Sequence, residues 1–383
     1  MTMTHAVRVM AAFALHGSCV GVLYARLPEI QAALGLSKGA FGLALTAMPA
    51  GVVLGNLFVS ALVESVGPRR SLLAGLPVFA AMTIPVALAP GLPALALLGF
   101  GVGLALGNLA INVEADRIEA QSGRRIMNRC HGWWGIGFLG VSLASVGLIG
   151  LGTAPVTHFT VFALVATGLT LWLIGPLRDH PARPGAGAPR RFAIPGRAAF
   201  VIAGFATAGI LLEGIGRSWG VIYLRDALGL SEQFAALALP ALIGALTLGR
   251  FLGDGGVQRW GALAVERTMA AATAAGIVMV VVAQGPMLAL TGFAVIGLGI
   301  CISIPLGFSA AAKTPGRPAA ETMAAFSLIS TVIGFVSPPA FGFVAEVAGL
   351  RMAMAALLPF TLLAWYFAPV LAPPRTDAEA ASA

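Results

Sequence analysis

Twelve long apolar runs follow one another along the 383 residues, and short polar turns separate them. Each run is close to the roughly 20 residues that an α-helix needs to cross a hydrocarbon core of about 30 Å. Charged residues make up 10% of the chain, against about 25% in a soluble domain. The runs are continuous, whereas the strands of a membrane barrel alternate apolar and polar residues. The sequence therefore predicts an all-α membrane protein.

The apolar runs form two groups of six, with a segment rich in proline, glycine and arginine between them. The predicted helices cover residues 7–25, 39–62, 71–89, 93–115, 130–150 and 157–177, then 198–222, 235–256, 267–284, 287–311, 320–344 and 350–371. Proline and glycine in the intervening segment favour irregular structure. We predict an N-terminal six-helix bundle (1–177), a cytoplasmic linker (178–197), a C-terminal six-helix bundle (198–372) and a cytoplasmic tail (373–383).

Basic residues indicate how the helices cross the membrane. When the turns are assigned alternately to the two sides, 18 of the 23 basic residues fall on the side of the N-terminus and 5 on the other. Positively charged turns remain in the cytoplasm. We therefore expect a multi-pass protein of the inner (cytoplasmic) membrane with both termini in the cytoplasm. Three cysteines, Cys19, Cys130 and Cys301, lie in or beside apolar runs and are interpreted as buried thiols rather than disulfides.

An internal repeat relates the two groups of helices. A shift of 194 residues places Ala33 to Ser37 on Ala227 to Ser231 without a gap, and 13 of the 35 positions from 33 to 67 are identical to their counterparts. A shift of six helices leaves both halves in the same orientation across the membrane. This is a parallel repeat, of the kind found in the major facilitator transporters.

Two polar turns occupy equivalent positions of the repeat and resemble the signature loop of the major facilitator superfamily. The matching residues are Glu64, Gly67, Arg69 and Arg70 after predicted helix 2, and Gly249, Arg250, Gly253, Asp254, Arg259 and Gly261 after predicted helix 8. The first turn departs from the family pattern, with Glu64 in place of Asp and Ser60 in place of Gly. We expect a gating role, in which ion pairs form and break as the halves move. The alternative is that Arg69 and Arg70 only anchor the turn at the cytoplasmic surface.

Predicted helix 7 and its exit, EGIGRSWGVIYLRD (213–226), carry a more specific resemblance. Further matching residues are Arg26, Pro28, Ile30, Asn112, His131 and Gly132. These residues resemble the rhizopine (aminocyclitol) permease-like branch of the superfamily and, more distantly, the fucose permeases. The resemblance covers nearly the whole chain. It implies the major facilitator fold, with 12 transmembrane helices in two pseudo-symmetric six-helix bundles, and transport by alternating access. It does not specify the solute.

A few polar side chains interrupt the predicted spans and are the candidates for solute binding and coupling: Glu213, Arg217, Asn108, Asn112, Trp219, His16 and Glu114. Such residues inside a span are functional candidates by default. The two asparagines are four residues apart, as are Glu213 and Arg217, so each pair shares a helix face. Each candidate also has a structural alternative. These alternatives are interhelical hydrogen bonds for the asparagines and His16, an internal ion pair in helix 7, and a membrane-interface position for Trp219 and Glu114.

Two positions depart from what the resemblance implies. Relatives are expected to carry an acidic residue four positions before Asn112, where this chain has Asn108. An Asp is expected where Ser218 stands. Proton coupling through predicted helix 4 is therefore not expected, and any coupling is expected to run through Glu213, paired with Arg217.

The sequence favours a secondary active transporter of a small polar solute, sugar-like or cyclitol-like, with proton symport left open. A multidrug or metabolite exporter and a non-transporting membrane sensor are the alternatives. An enzyme is not expected, because no zinc-type His-Glu spacing, nucleophile elbow or phosphate-binding loop occurs. The expected partners are the solute, protons if transport is coupled, and the lipid bilayer. No cofactor, metal or nucleic acid is expected, and the chain is expected to act as a monomer.

Overall fold

A computed structural model of the chain describes residues 3–88, 93–122, 126–178, 195–314 and 319–372. Helices account for almost all of these ranges, and no strand occurs within them. The N-terminal half contains α1 (His5–Ala33), α2 (Lys38–Leu45 and Ala47–Val66), α3 (Pro68–Ala81 and Thr83–Leu88), α4 (Pro93–Ser122), α5 (Met127–Gly150) and α6 (Pro155–Ile174). The C-terminal half contains α7 (Arg197–Leu228), α8 (Glu232–Ala236 and Ala238–Trp260), α9 (Ala262–Val282), α10 (Pro286–Ile300 and Ser303–Ala312), α11 (Ala319–Ala348) and α12 (Leu350–Ala355, Leu358–Phe367 and the 3-10 turn Ala368–Leu371).

Within the described ranges, 12 helices are long and apolar enough to cross a membrane, which confirms the predicted number. Three predicted C-terminal ends lie more than five residues too early, because α1 continues to Ala33, α4 to Ser122 and α7 to Leu228. Arg26, the first residue after the predicted end of α1, is 1% exposed and lies inside the helix. A basic residue thus did not mark the helix end. The predicted linker (178–197) and tail (373–383) fall largely outside the described residues.

Glycines at the turns reproduce the internal repeat in the backbone. Gly35 has a φ of +61° and Gly229 a φ of +66°; Gly67 has a φ of +89° and Gly261 a φ of +80°. In each pair the second residue follows the first by the 194-residue shift found in the sequence. Positive φ values are accessible to glycine at little cost, so the same turn chemistry ends equivalent helices in both halves.

Helix packing follows the same repeat. In the first half α1 packs on α5, α2 on α4 and α3 on α6; in the second half α7 packs on α11, α8 on α10 and α9 on α12. Small residues allow close approach of the helices. For example, a Cβ atom at Gly51 of α2 would lie 3.0 Å from the Cα of Gly101 in α4. The fold therefore consists of two pseudo-symmetric six-helix bundles.

The two halves meet at the end of the molecule that the charge distribution predicts to be the outer end. Arg225 of α7 donates to the carbonyl oxygen of Pro28 at 2.6 Å and to the Oε1 of Gln31 at 2.9 Å, both on α1. Glu346 of α11 accepts a hydrogen bond of 2.7 Å from the backbone N–H of Gly39 in α2. Hydrogen bonds that involve a charged group are stronger than neutral ones. These contacts close the molecule at this end.

Candidate functional site

The centre of the C-terminal half contains a carboxylate held between two arginines. Glu213 of α7 pairs with Arg217 one helical turn further along, as the four-residue spacing predicts. Its other partner is Arg250 of α8, whose Nη2 lies 3.2 Å from Oε2 and 3.4 Å from Oε1. Glu213 is 8% exposed, so the paired arginines supply the compensation that a buried charge requires. The cluster carries one net positive charge.

Arg217 also reaches across to the N-terminal half. Its guanidinium carbon lies 5.4 Å from the ring centroid of Trp134 and 5.6 Å from that of Phe138, both on α5. These distances are typical of cation–π contacts. In the described part of the chain, the Nε of Arg217 is buried without a hydrogen-bond partner. The junction between the halves therefore contains a fixed cation, two aromatic faces and an unused N–H donor.

Trp134 is itself oriented by His16 of α1. The indole N–H donates to the Nδ1 of His16 at 2.9 Å, and the Nε2 of His16 lies 3.4 Å from the carbonyl oxygen of Leu104 in α4. An accepting Nδ1 assigns the proton of the neutral ring to Nε2. His16 is 1% exposed. It therefore connects α1, α4 and α5 and positions Trp134.

The two asparagines of α4 form one polar patch. The Nδ2 of Asn112 donates to both the side-chain and the backbone oxygen of Asn108, at 2.8 Å in each case. Neighbouring positions of α4 pack against Phe79 of α3, Gly55 of α2 and His16 of α1. Asn108 is exposed, and its Oδ1 accepts from Asn112. Its side chain therefore stays a candidate for contact with a polar ligand.

A break in α10 explains how Arg250 is held. The carbonyl oxygen of Cys301 accepts from the Nε of Arg250 at 3.4 Å. This oxygen is left without its helical donor because Pro305, four residues later, has no N–H. Two glycines of α8, Gly249 and Gly253, leave space for the break. A Cβ at Gly249 would lie 2.7 Å from the Sγ of Cys301, and a Cβ at Gly253 would lie 2.5 Å from the side chain of Ile302. Three residues predicted as gating residues thus contribute to the central cluster.

The first signature turn does not form the expected pair between a carboxylate and an arginine. Glu64 is exposed, and Arg69 donates instead to the carbonyl oxygen of Gly175 at 2.7 Å. That oxygen lies at the C-terminal end of α6, where a cation is favourable. Arg70 is exposed. In this conformation the turn joins α3 to α6, which agrees with anchoring, and its gating role stays a prediction.

The rest of the second signature turn lies at the far end of α8. Arg259 is exposed, and its guanidinium carbon lies 5.2 Å from the ring centroid of Trp260. Gly261 provides the positive φ that ends the helix. The side chain of Asp254 lies outside the described residues. The described side chains of this part of the turn do not contact the central cluster.

Trp219 and Glu114 lie away from the cluster. Trp219 is fully buried between Phe41 of α2 and Phe341 of α11, with ring centroids 5.7 and 5.2 Å away. It follows Arg217 by two residues, and residues at that spacing face different sides of a helix. The ring therefore belongs to the closed outer end rather than to the site around Arg217. Glu114 is fully buried near the inner end of α4.

One buried acid, Glu266 of α9, is not among the candidates predicted from the sequence. The predicted helix begins at residue 267, which assigns Glu266 to the preceding turn, whereas α9 begins at Ala262. The adjacent Arg267 gave the segment the appearance of a polar turn. A single acidic residue followed by an apolar run is the signal that could have identified it. The three cysteines are buried free thiols, as predicted.

Comparison with known proteins identifies the family. The sequence profile described as Major Facilitator Superfamily matches residues 9–338. Among curated proteins, the chain is 29% identical to the uncharacterized transporter y4wD of Sinorhizobium fredii over 371 residues, which cover 95% of this chain and 97% of that protein. It is 25% identical to the membrane protein MosC of Rhizobium meliloti over 350 residues, which cover 89% and 84%.

Solved structures share the fold. The nucleoside transporter NupG matches with a TM-score of 0.73 at 14% identity and covers 97% of this chain and 100% of its own. A D-xylose-proton symporter matches with a TM-score of 0.72 at 13% identity, covering 98% of both chains. The transporter FucP in its outward conformation matches with a TM-score of 0.63 at 17% identity, covering 96% and 98%. The superfamily resemblance drawn from the sequence motifs is confirmed.

Proposed function

This chain belongs to the Major Facilitator Superfamily, and from that membership we propose that it is a secondary active transporter of a small polar solute. The two six-helix halves would expose a central site alternately to the two sides of the membrane. The observation that carries this proposal is the junction at which Arg217 of one half lies on the rings of Trp134 and Phe138 of the other. A solute bound there contacts both halves.

The chemistry of the junction favours a hydroxylated ring, such as a sugar or a cyclitol. Guanidinium and amide groups hydrogen-bond hydroxyl groups, and an aromatic face packs on the apolar face of such a ring. Arg217 supplies the guanidinium group and Trp134 the aromatic face. The amide group is that of Asn108, which is exposed and lies on the same side of α4 as Asn112. The structural neighbours named for nucleosides and D-xylose carry hydroxylated rings as cargo.

A ligand screen followed by exchange measurements tests the function. The thermal stability of the purified full chain is recorded with D-xylose, L-fucose, myo-inositol, uridine, amino acids and amphipathic drugs. Labelled forms of the stabilising solutes are then tested for counterflow in proteoliposomes. Stabilisation by a hydroxylated ring together with counterflow supports the proposal. Stabilisation only by amino acids or drugs overturns the solute class, and binding without counterflow overturns transport in favour of a sensor.

We also propose that the chain lies in the inner membrane as a monomer, with both termini in the cytoplasm and with the bundles at 1–177 and 198–372. The basic residues on the predicted inner side support this orientation. Thiol labelling from outside intact cells tests it, since the native cysteines are buried. Leu151→Cys, at a position 80% exposed in the predicted outer turn, should react with an impermeant reagent, and Ser65→Cys should not. The reverse pattern would invert the topology.

A further inference from the structure

Glu266 is an isolated acid within the apolar interior of the C-terminal half. It is 1% exposed. The hydroxyl of Ser303 in α10 donates to its Oε1 at 3.0 Å. Its Oε2 is buried without a hydrogen-bond partner in the described part of the chain. One carboxyl oxygen is therefore satisfied by a neutral donor, and the other has none.

Within the described ranges, the groups that face Glu266 do not supply a counter-charge. From α10 it meets the hydroxyl of Ser303, a residue that packs against Gly209 of α7, where a Cβ would lie 2.9 Å from the Cβ of Ser303. Arg267, the next residue of α9, is directed to Trp365 of α12, 4.5 Å from the ring centroid. Arg250 of α8 is directed to Glu213 and to the backbone of α10.

The surroundings distinguish Glu266 from Glu213. Two guanidinium groups neutralise Glu213, and adding a proton to it would break both ion pairs. A buried carboxylate without a cation costs far more than the neutral acid, and an acid buried in a membrane-spanning helix without a counter-charge is suited to taking up and releasing a proton. Glu266 meets this condition, although the sequence drew attention to Glu213.

We propose that Glu266 is the proton-binding site of this transporter, and that its protonation is linked to the central cluster through the break in α10. Ser303, which donates to Glu266, begins the inner segment of α10 two residues after Cys301, whose carbonyl oxygen holds Arg250. When Glu266 loses its proton, the carboxylate needs further donors and draws on Ser303 more strongly. Movement of the inner segment then changes the contact between Cys301 and Arg250. The coupling role rests on the proposed function; proton binding by itself does not.

Infrared difference spectroscopy of the purified full chain tests proton binding without any solute. A titration from acidic to alkaline pH should remove one protonated-carboxyl C=O band in the wild type. Glu266→Gln should lack this band, and the exposed-site control Glu232→Gln should keep it. Ser303→Ala, which keeps the acid but removes its donor, should shift the frequency of the band. A band that is unchanged in Glu266→Gln, or that is lost in Glu213→Gln instead, overturns the proposal.

Proteoliposomes test the coupling. With a solute that shows counterflow in the wild type, a pH gradient should drive accumulation. Glu266→Gln should abolish this accumulation and retain exchange. Accumulation that needs a sodium gradient, or that survives in Glu266→Gln, overturns the coupling role. Loss of counterflow in the wild type with every solute, together with an infrared band assigned to Glu266, refutes the proposed function and leaves the proton site standing.

Discussion

The guanidinium carbon of Arg217 lies 5.4 Å from the ring centroid of Trp134, and this contact joins the two halves of the protein. Each partner is held by a second contact within its own half. Arg217 is paired with Glu213, and the indole N–H of Trp134 donates to His16. Because both groups are fixed by their own half, a tilt of one half against the other must change the contact between them. The contacts that this junction offers to a solute therefore depend on the conformation of the protein.

Replacing Arg217 with lysine should weaken solute binding. Lysine keeps the charge but lacks the planar group that lies on the ring of Trp134. We expect affinity to fall about fivefold, the equivalent of about 1 kcal/mol, measured as the solute dependence of thermal stability. Arg259→Lys is the matched control. It alters a similar contact, in which the guanidinium carbon of Arg259 lies 5.2 Å from the ring centroid of Trp260, but this contact lies outside the site. Equal losses in both variants would contradict a role of Arg217 in binding.

The hydrogen bond between Trp134 and His16 should contribute to stability. Trp134→Phe leaves the buried Nδ1 of His16 without its donor and should lower the free energy of unfolding by about 1 kcal/mol. Trp133→Phe makes the same chemical change at a side chain that is 43% exposed. Denaturation in detergent should therefore leave the second variant close to the wild type. If the two variants lose equal stability, the hydrogen bond is not the cause.

The membrane-spanning architecture could be predicted because the bilayer limits what a chain can form. Backbone groups in hydrocarbon must be satisfied within a helix, so continuous apolar runs identify the spans. The repeat was also predictable, down to the turns. Ser37 and Ser231, separated by 194 residues, both accept a hydrogen bond from the backbone N–H three residues later at the start of a helix. Local chemistry of this kind is encoded in short segments.

The central cluster could be predicted only in part. The pairing of Glu213 with Arg217 follows from spacing along one helix. The contact of Glu213 with Arg250 spans 37 residues and depends on how α7 and α8 pack and on where Pro305 breaks α10. Trp219, a candidate for solute contact, lies among aromatic rings at the closed end. Such contacts arise from tertiary packing, which a single sequence does not specify.

Arg225 should hold the outer end closed. Arg225→Ala removes the hydrogen bonds to Pro28 and Gln31 on α1. Losing charge-assisted bonds worth about 2 kcal/mol should shift the population toward the open form by about thirtyfold. Spin labels at Leu151 and Met287, exposed positions in outer turns of the two halves, should report longer distances. Arg197→Ala, at an exposed arginine of the opposite end that is not among the predicted gating residues, should not change them. Unchanged distances in Arg225→Ala would show that Arg225 does not hold the outer end closed.

Gly249 should be needed for the break in α10. A Cβ there would lie 2.7 Å from the Sγ of Cys301, so Gly249→Ala must displace α8 from α10. We expect a loss of about 1 to 3 kcal/mol in unfolding free energy, together with slower counterflow, because Arg250 moves with α8. Gly255→Ala, where no atom lies within 4 Å of the added Cβ, is the control in the same helix. A similar loss of stability at both positions would show that the cause is the added methyl group within α8, not the contact of Gly249 with the break in α10.

Pro305 should make α10 a hinge rather than a rigid rod. Pro305→Ala supplies an N–H that can donate to the carbonyl oxygen of Cys301, in competition with Arg250, which holds that oxygen at 3.4 Å. A continuous helix should be about 1 to 3 kcal/mol more stable, and counterflow should slow about tenfold if the barrier to movement rises by about 1.4 kcal/mol. Pro286→Ala is the control, since Pro286 begins α10 directly after an interhelical turn, where the missing N–H costs little and no break exists to repair. Thermal unfolding and counterflow on the same preparations separate the two effects. A variant with higher stability and unchanged counterflow would show that the break is not a moving part, and the link between Glu266 and Arg250 would then need another route.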